Sequence, residues 1–294
     1  MTFRTSLPLP RRLRFGPGPS LRIRLNRKAL AGGTGAEAPK RSGFTLHRLS
    51  ADTLLVRWYG IGDFAIEHGR EIRAHVRDGA PWGEFRDLLL TNILAFALLE
   101  QGVETLHASA IERGGKAVAF AGRAGSAKST LAALFARRGC RVLTDDLLPL
   151  HLVGKDVRAY PSLGEIKLMP EAARALRIHR RHLRSVSPRL RKRIWRVRPV
   201  PGPRPLAAVY FPSISARGRR VVLRPLSYRE TFRNLLTHNF NAVLITRRRQ
   251  RKLFALCTEI AKRVSARRLI IPRGWKNLEE AARRIEADLE RIRG

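Results

Sequence analysis

Nine consecutive residues, GRAGSAKST from Gly122 to Thr130, have the types and spacing of a phosphate cradle. The pattern G-x-x-x-x-G-K-[ST] works through its backbone. N–H groups from Gly122, Arg123, Ala124, Gly125, Ser126 and Ala127 would wrap phosphate oxygens, aided by the positive end of the helix that follows. Lys128 would reach the terminal phosphates, and the hydroxyl of Ser129, with Thr130 behind it, suits Mg²⁺. The cofactors that such a loop takes are ATP and Mg²⁺. Ala127 departs from the pattern, because a second glycine is wanted there. If the backbone needs a positive φ at that point, the methyl costs about 1–2 kcal/mol, which a domain of this size tolerates. The plainer reading is a glycine-bearing turn that merely starts a helix.

A second group of chemistry-bearing residues is the pair Asp145–Asp146. KAVAFA (Lys116–Ala121) reads as a strand, KSTLAALFARR (128–138) as an Ala- and Leu-rich helix, and CRVLT (Cys140–Thr144) as a second strand. A right-handed crossover makes the two strands parallel within one sheet, so their carboxyl ends share an edge. That edge carries the loop, and the two aspartates then point towards Ser129. One carboxylate can hold Mg²⁺ and the other can accept a proton from an attacking hydroxyl. A solvated turn after a strand is the plainer alternative.

Other elements follow from patterning. Residues 1–45 hold eight Lys and Arg before the first acid, Glu37, together with GPGP and AGGTG, and read as a flexible basic arm with a short strand at LRIRL (Leu21–Leu25). From Phe44 onward, TLLVRWYG and DFAIEHG look like strands closed by glycine turns. Trp82–Gln101 reads as a long buried helix capped by Gly102. LHASAI (Leu106–Ile111) and KAVAFA make a hairpin about Gly114–Gly115. LLPLHL, VRAYPSL, LAAVYF, VVLRPL and RRLIIP read as strands, and residues 228–237 and 247–264 as helices. A last helix is expected to start at Asn277, with Glu280 completing a capping box. The division expected is an arm over 1–45 and a nucleotide-binding domain over 46–294. The latter carries a basic insertion or flap near 171–200, where eleven Lys and Arg between Arg174 and Arg198 meet no acid.

The whole chain of 294 residues carries 59 Lys and Arg against 23 Asp and Glu, a net charge of +36. Such a field attracts nucleic acid, acidic membranes or acidic proteins. The cations are dispersed, however, and few aromatics lie among them as stacking platforms, so any nucleic-acid binding is expected to be non-specific. The most apolar run, Leu88–Leu99, is too short to span a bilayer, and no transmembrane segment is expected. The start of the chain has no apolar core of signal-peptide length. Two distant cysteines, Cys140 and Cys257, suit a reduced, cytoplasmic protein.

The segment Leu106–Leu150 resembles the catalytic core of the HPr serine kinase/phosphorylase family. It resembles more closely the divergent bacterial HPr-kinase-like proteins found with peptide-modifying systems such as lasso peptide pathways. The shared features are a His before the first strand, the Lys/Ser loop, the RRG helix end and the DD pair. The resemblance implies an α/β fold of the P-loop-containing, phosphoenolpyruvate-carboxykinase-like (HPr kinase C-terminal-domain-like) type, with a mixed sheet. It implies that Lys128 and Ser129 bind ATP phosphates and Mg²⁺. Asp145 and Asp146 would supply the metal-linked carboxylate and the base, in either order, and His107 would lie near the site. A downstream glutamate is implied as well. Glu165 is the candidate, but the Arg-Gly signature around it is absent and Lys167 stands nearby instead. With that signature go the grounds for phosphorylase activity and for HPr itself as substrate. A homo-oligomer is implied by the resemblance alone.

The expectation is an ATP-dependent kinase acting on a Ser hydroxyl of a peptide or small protein, an acidic one given the charge. The alternatives are a non-catalytic nucleotide-binding accessory protein and a basic nucleic-acid-binding protein.

Overall fold

The structure is a computed structural model that describes residues 9–10, 12–13, 20–30, 43–240 and 247–293. Most of the expected arm, including GPGP and AGGTG, lies outside the described residues. The chain divides into two compact units, one of residues 1–103 with 184–191 and one of residues 104–183 with 192–294. The boundary expected near residue 45 therefore falls at Val103–Glu104 instead. The strands after Phe44 build a sheet with the described part of the arm, not with the strands that flank GRAGSAKST.

In the first unit β1 (Arg12–Leu13), β2 (Leu21–Leu25), β3 (Phe44–Ser50), β4 (Thr53–Trp58), β5 (Gly62–Glu67) and β6 (Glu71–Val76) form a six-stranded sheet in the order β1-β2-β6-β5-β4-β3. Neighbours are antiparallel except β2 and β6, which are parallel. The expected long helix is present in three segments. They are α1 (Trp82–Leu88), a π-helical stretch (Leu89–Ile93) and α2 (Leu94–Glu100). Thr91 explains the π stretch, since its hydroxyl donates to the Asp87 carbonyl at 2.6 Å and competes for the i−4 acceptor. From Leu88 to Leu98 every residue but Asn92 is buried, as an all-round apolar stretch requires. It ends in a Schellman motif, with Val103 N–H donating to Leu98 O and Gly102 N–H to Leu99 O, Gly102 standing at φ +78°.

From Glu104 onward the strands are β7 (Glu104–Leu106), β8 (Ala108–Arg113), β9 (Lys116–Ala121), β10 (Arg141–Thr144), β11 (Leu148–Val153), β12 (Asp156–Ala159), β13 (Glu165–Leu168), β14 (Leu183–Ser187), β15 (Leu190–Arg196), β16 (Arg204–Ser215), β17 (Val222–Pro225) and β18 (Ser265–Pro272), of which most of β14 and the first two residues of β15 belong to the first unit and the rest to the second. The helices are α3 (Lys128–Arg137), α4 (Pro170–Ala175), α5 (Tyr228–Thr237), α6 (Arg247–Arg263) and α7 (Trp275–Arg293). Nine strands make a mixed sheet. Its main path is β10-β8-β9-β16-β12-β11-β7, and β18 pairs with both β16 and β17. The long strand β16 runs parallel to β9 and β18 and antiparallel to β12.

KAVAFA is apolar throughout because both faces of β9 are covered. Val118 and Phe120 pack with Leu131 and Phe135 of α3 and Ile285 of α7. Ala117, Ala119 and Ala121 face the opposite core, with Leu235 of α5 and Leu256 and Ile260 of α6. Beneath α7, the buried Tyr210 hydroxyl donates to Asp288, which also accepts from Arg267.

One expectation fails here. The last helix begins at Trp275, two residues ahead of Asn277, whose amide donates back to the Arg273 carbonyl and does not cap. The basic run, expected as an insertion or flap, has regular structure. It folds as α4, a 3-10 turn at Arg180–His182 and the strands β14 and β15, which join β13 in a three-stranded sheet ordered β13-β15-β14.

Candidate active site

The loop follows β9 and leads into α3. Its backbone explains its composition. A Cβ at Gly122 would meet Ser126 Oγ at 2.7 Å and the Pro212 carbonyl at 3.2 Å, so the close approach there excludes a side chain. Gly125 adopts φ +80°. Ala127, the N-cap of α3, adopts φ +71° and ψ +14°, the left-handed conformation that glycine would take without strain. The methyl is accommodated, packed against the apolar core beneath α3.

Lys128 opens α3 and is only 5% exposed. Its Nζ donates to the Arg123 carbonyl at 2.9 Å. Burial pulls the ammonium below its ordinary value, while Asp146 and Asp145 work in the opposite direction. Ser126, 9% exposed, has a buried hydroxyl with no hydrogen-bond partner among the described residues. Ser129 and Thr130 are half-buried in the first turn of α3, where backbone N–H groups have no intrahelical acceptor. A cavity of about 420 Å³ opens beside the loop, lined by Gly122 to Ser126, by Phe211 and Ile214 of β16, by His238 and by Arg268.

The aspartates reach the same edge as expected. β10 and β9 are each antiparallel to β8, which lies between them, and are therefore parallel to one another. The intervening strand was not foreseen, and it contributes directly. Ser109 of β8 donates to Asp145 Oδ1 at 2.5 Å, and the Lys167 backbone N–H donates to Oδ2 at 2.8 Å. Asp145 is buried, and burial together with the neighbouring Asp146 pushes its carboxyl up to about 6.

Asp146 occupies a left-handed turn at φ +70°. Thr144 secures the turn by donating its hydroxyl to the Leu147 carbonyl at 2.6 Å. Burial would raise the Asp146 carboxyl, but Lys167 outweighs it and holds it well below the usual carboxylate range, helped by Lys192 and His107. Lys167 Nζ lies 2.8 Å from Asp146 Oδ2, with side-chain exposures of 11% and 15%.

His107 stands between β7 and β8, its Nδ1 3.2 Å from the Asp146 carbonyl oxygen. A carbonyl only accepts, so Nδ1 carries the proton and Nε2 is left as an acceptor. Burial, then Lys128, pulls the ring below its ordinary value, while Asp146 works in the opposite direction. The His107 backbone N–H donates to the carbonyl of His238, whose ring is driven down to about 4 by burial and by Lys128, His107 and Arg123.

His107, Lys128, Asp145 and Asp146 are thus brought together, and Lys167 joins them. Glu165 does not. It lies two residues before Lys167 on β13, and its carboxylate pairs with Arg196 at 3.6 Å. Among the described residues, no group of three or more His, Cys, Asp or Glu side chains is arranged to hold a metal ion. Ser109 left a faint signal in the sequence, as a polar residue in an apolar strand two positions from His107 and on the same face. His238 left none.

No family model matches the sequence, and no curated protein matches it. Among solved structures, the chain is similar to the Hpr(Ser) kinase/phosphatase from Coxiella burnetii, at 13% identity and a TM-score of 0.33, over 63% of this chain and 98% of that one.

Proposed function

We propose that this chain is an ATP-dependent kinase that transfers the γ-phosphate to a Ser hydroxyl of a peptide or small protein. The observation that carries this reading is the convergence of a buried Lys128 and a glycine-bearing loop with Asp145 and Asp146 at the end of a parallel strand. The loop fits the nucleotide. The orphaned Ser126 hydroxyl, the unspent N–H groups of α3 and the Lys128 ammonium are all donors that phosphate oxygens satisfy.

Lys128 exchanges its bond to the Arg123 carbonyl for the terminal phosphates. Asp146 accepts the hydrogen bond of the substrate hydroxyl and takes its proton as the new O–P bond forms and the bond from the γ-phosphorus to the β,γ-bridging oxygen breaks, ADP leaving with that oxygen. A loose transition state needs no strong base, so a carboxylate of low proton affinity suffices. Asp145, with both oxygens engaged by Ser109 and Lys167, is a positioning residue. His107, fixed through Nδ1, orients the Asp146 turn. The oxygen donors Ser129 and Asp146, beside the nucleotide's own phosphates, are of the kind Mg²⁺ takes. The ion would neutralise charge on the transferring group.

The test uses labelled ATP, Mg²⁺ and candidate peptide substrates. K128M is expected to weaken nucleotide binding about 10- to 100-fold, the worth of a charge-assisted contact. D146N should keep nucleotide binding and lose about 10²–10⁴-fold in transfer. Nucleotide binding by the wild type without transfer to any peptide would overturn the kinase reading.

A second reading has its own observation. The Lys167 ammonium already neutralises Asp146, and Ala127 retains a strained φ, which suits a non-catalytic nucleotide-binding protein. Under that reading D146N leaves every measured property of the nucleotide complex unchanged.

A further inference from the structure

The basic run forms a hollow of about 540 Å³ in the second unit, away from the loop residues. Its floor is apolar, with Ala173 and Ile178 buried and Pro170 and Leu183 beside them. Its rim carries three exposed guanidiniums, Arg174, Arg180 and Arg193, and among the described residues no carboxylate lines it. Most acidic side chains of this unit are already engaged elsewhere. Glu112 holds Arg204, Glu230 holds Arg224, Glu104 holds Arg249 and Asp288 holds Arg267. In a chain this basic, exposed arginines are ordinary. Three of them converging on one concave apolar floor are not.

We propose that this hollow docks an acidic peptide segment, an aliphatic side chain seated on the Ala173–Ile178 floor and flanking carboxylates held by Arg174, Arg180 and Arg193. Charge complementarity fixes the sign of the occupant, and the floor fixes its body. Nucleic acid fits less well, because no aromatic side chain lines the hollow to stack a base.

The strand pairing gives the site its purpose. Lys167 lies opposite Ile194, and Leu168 opposite Arg193. Successive residues of a strand face opposite ways. One face of the β13–β15 ladder therefore presents Lys167, with Lys192, to the aspartates, and the other presents Arg193 to the hollow. A docked segment is held on the ladder that positions Lys167. The proposal does not rest on phosphotransfer, because docking is measured without nucleotide.

The experiment measures fluorescence anisotropy of a short labelled peptide of alternating Glu and Leu with the full chain, at a salt concentration near 0.15 M. The expected result is saturable binding that weakens about tenfold or more in R174Q/R180Q/R193Q, from three charge contacts of modest individual worth. In R217Q/R219Q/R220Q, which removes the same charge at other exposed positions, it should change less than about twofold. A Gln–Leu peptide tests the charge and a Glu–Ser peptide the floor, and both should bind more weakly. Equal loss in the two triple variants, or equal binding of the Gln–Leu peptide, overturns the site. An unlabelled oligo-dT that displaces the peptide with the same sensitivity to R174Q/R180Q/R193Q assigns the hollow to nucleic acid and also overturns it. Circular dichroism of the variants reports folding, and these exposed substitutions should leave it unchanged.

Discussion

Lys128 is buried and Lys167 half-buried beside Asp145 and Asp146, whereas Arg174, Arg180 and Arg193 stand in solvent around an apolar hollow with no acid among them. Both groups are cationic, and they work in opposite ways. Among the aspartates Lys167 already answers Asp146, and hydrogen bonds hold Asp145 and Lys128, so geometry is fixed before any ligand arrives. Around the hollow the answer has to come from outside. A buried charge without its partner is costly, and an exposed one is nearly free. The fold therefore enforces the first group and merely carries the second.

Removing one partner from the buried group is the harshest test of this contrast. K167M strands the Asp146 carboxylate and should cost about 3–5 kcal/mol in chemical denaturation at neutral pH. In the wild type, Asp146 is held below its unfolded value, so its contribution is present above that value and is lost as pH falls through it. In K167M the sign reverses, because the stranded carboxyl prefers its proton and the deficit shrinks on acidification. D146N should rescue much of the loss, and a K167M protein as stable as wild type would remove the basis of the contrast.

Backbone strain on the buried side gives a smaller effect. A127G relieves the left-handed methyl and should stabilise the chain by about 0.5–1 kcal/mol in the same assay. Nucleotide affinity that rises in step would show that the methyl also hinders the phosphates.

His238 gives an effect read as a slope. Its ring is held to about 4, below its unfolded value, so the unfolded chain binds the extra proton. Wild-type stability should therefore fall as pH drops from about 6.5 towards 4. H238Q should flatten that slope, as followed by melting temperature across the window. The smallest effect belongs to the open group, where R193Q should leave stability unchanged or raise it slightly, by about 0.5 kcal/mol or less, with the melting temperature following. A large loss in R193Q would mean that the hollow is a structural element after all.

The local parts of the site were legible from sequence. GRAGSAKST announced its strand, loop and helix, and crossover handedness brought Asp145–Asp146 to the same edge. What pairing over long separations decides was not legible. β8 enters between β9 and β10, and Lys167 arrives through a separate three-stranded sheet. No local period reports either event. The unit boundary was missed for a related reason, since strands after Phe44 have the same apolar texture whichever sheet receives them.

Cap signals were ambiguous in both directions. Asn277–Glu280 has capping-box spacing, yet Gly274 at φ +118° lets the helix begin at Trp275, which packs on the core. The same spacing at Ser227–Glu230, which went unread, is a true capping box. Apolar contact outweighed the cap where the two competed.

β10 lies at the margin of its sheet, laddered to β8 on one side and met on the other by isolated contacts at Ser162, Pro199 and Val200. β9 is laddered on both sides. Marginal strands open locally at a lower free-energy cost than interior ones. The strand that delivers the carboxylates is thus the one that breathes, while the strand that delivers the loop stays clamped. Under the proposed function, holding a nucleotide and acting on it would be governed by separate opening equilibria, and the chain would retain the first through excursions that suspend the second.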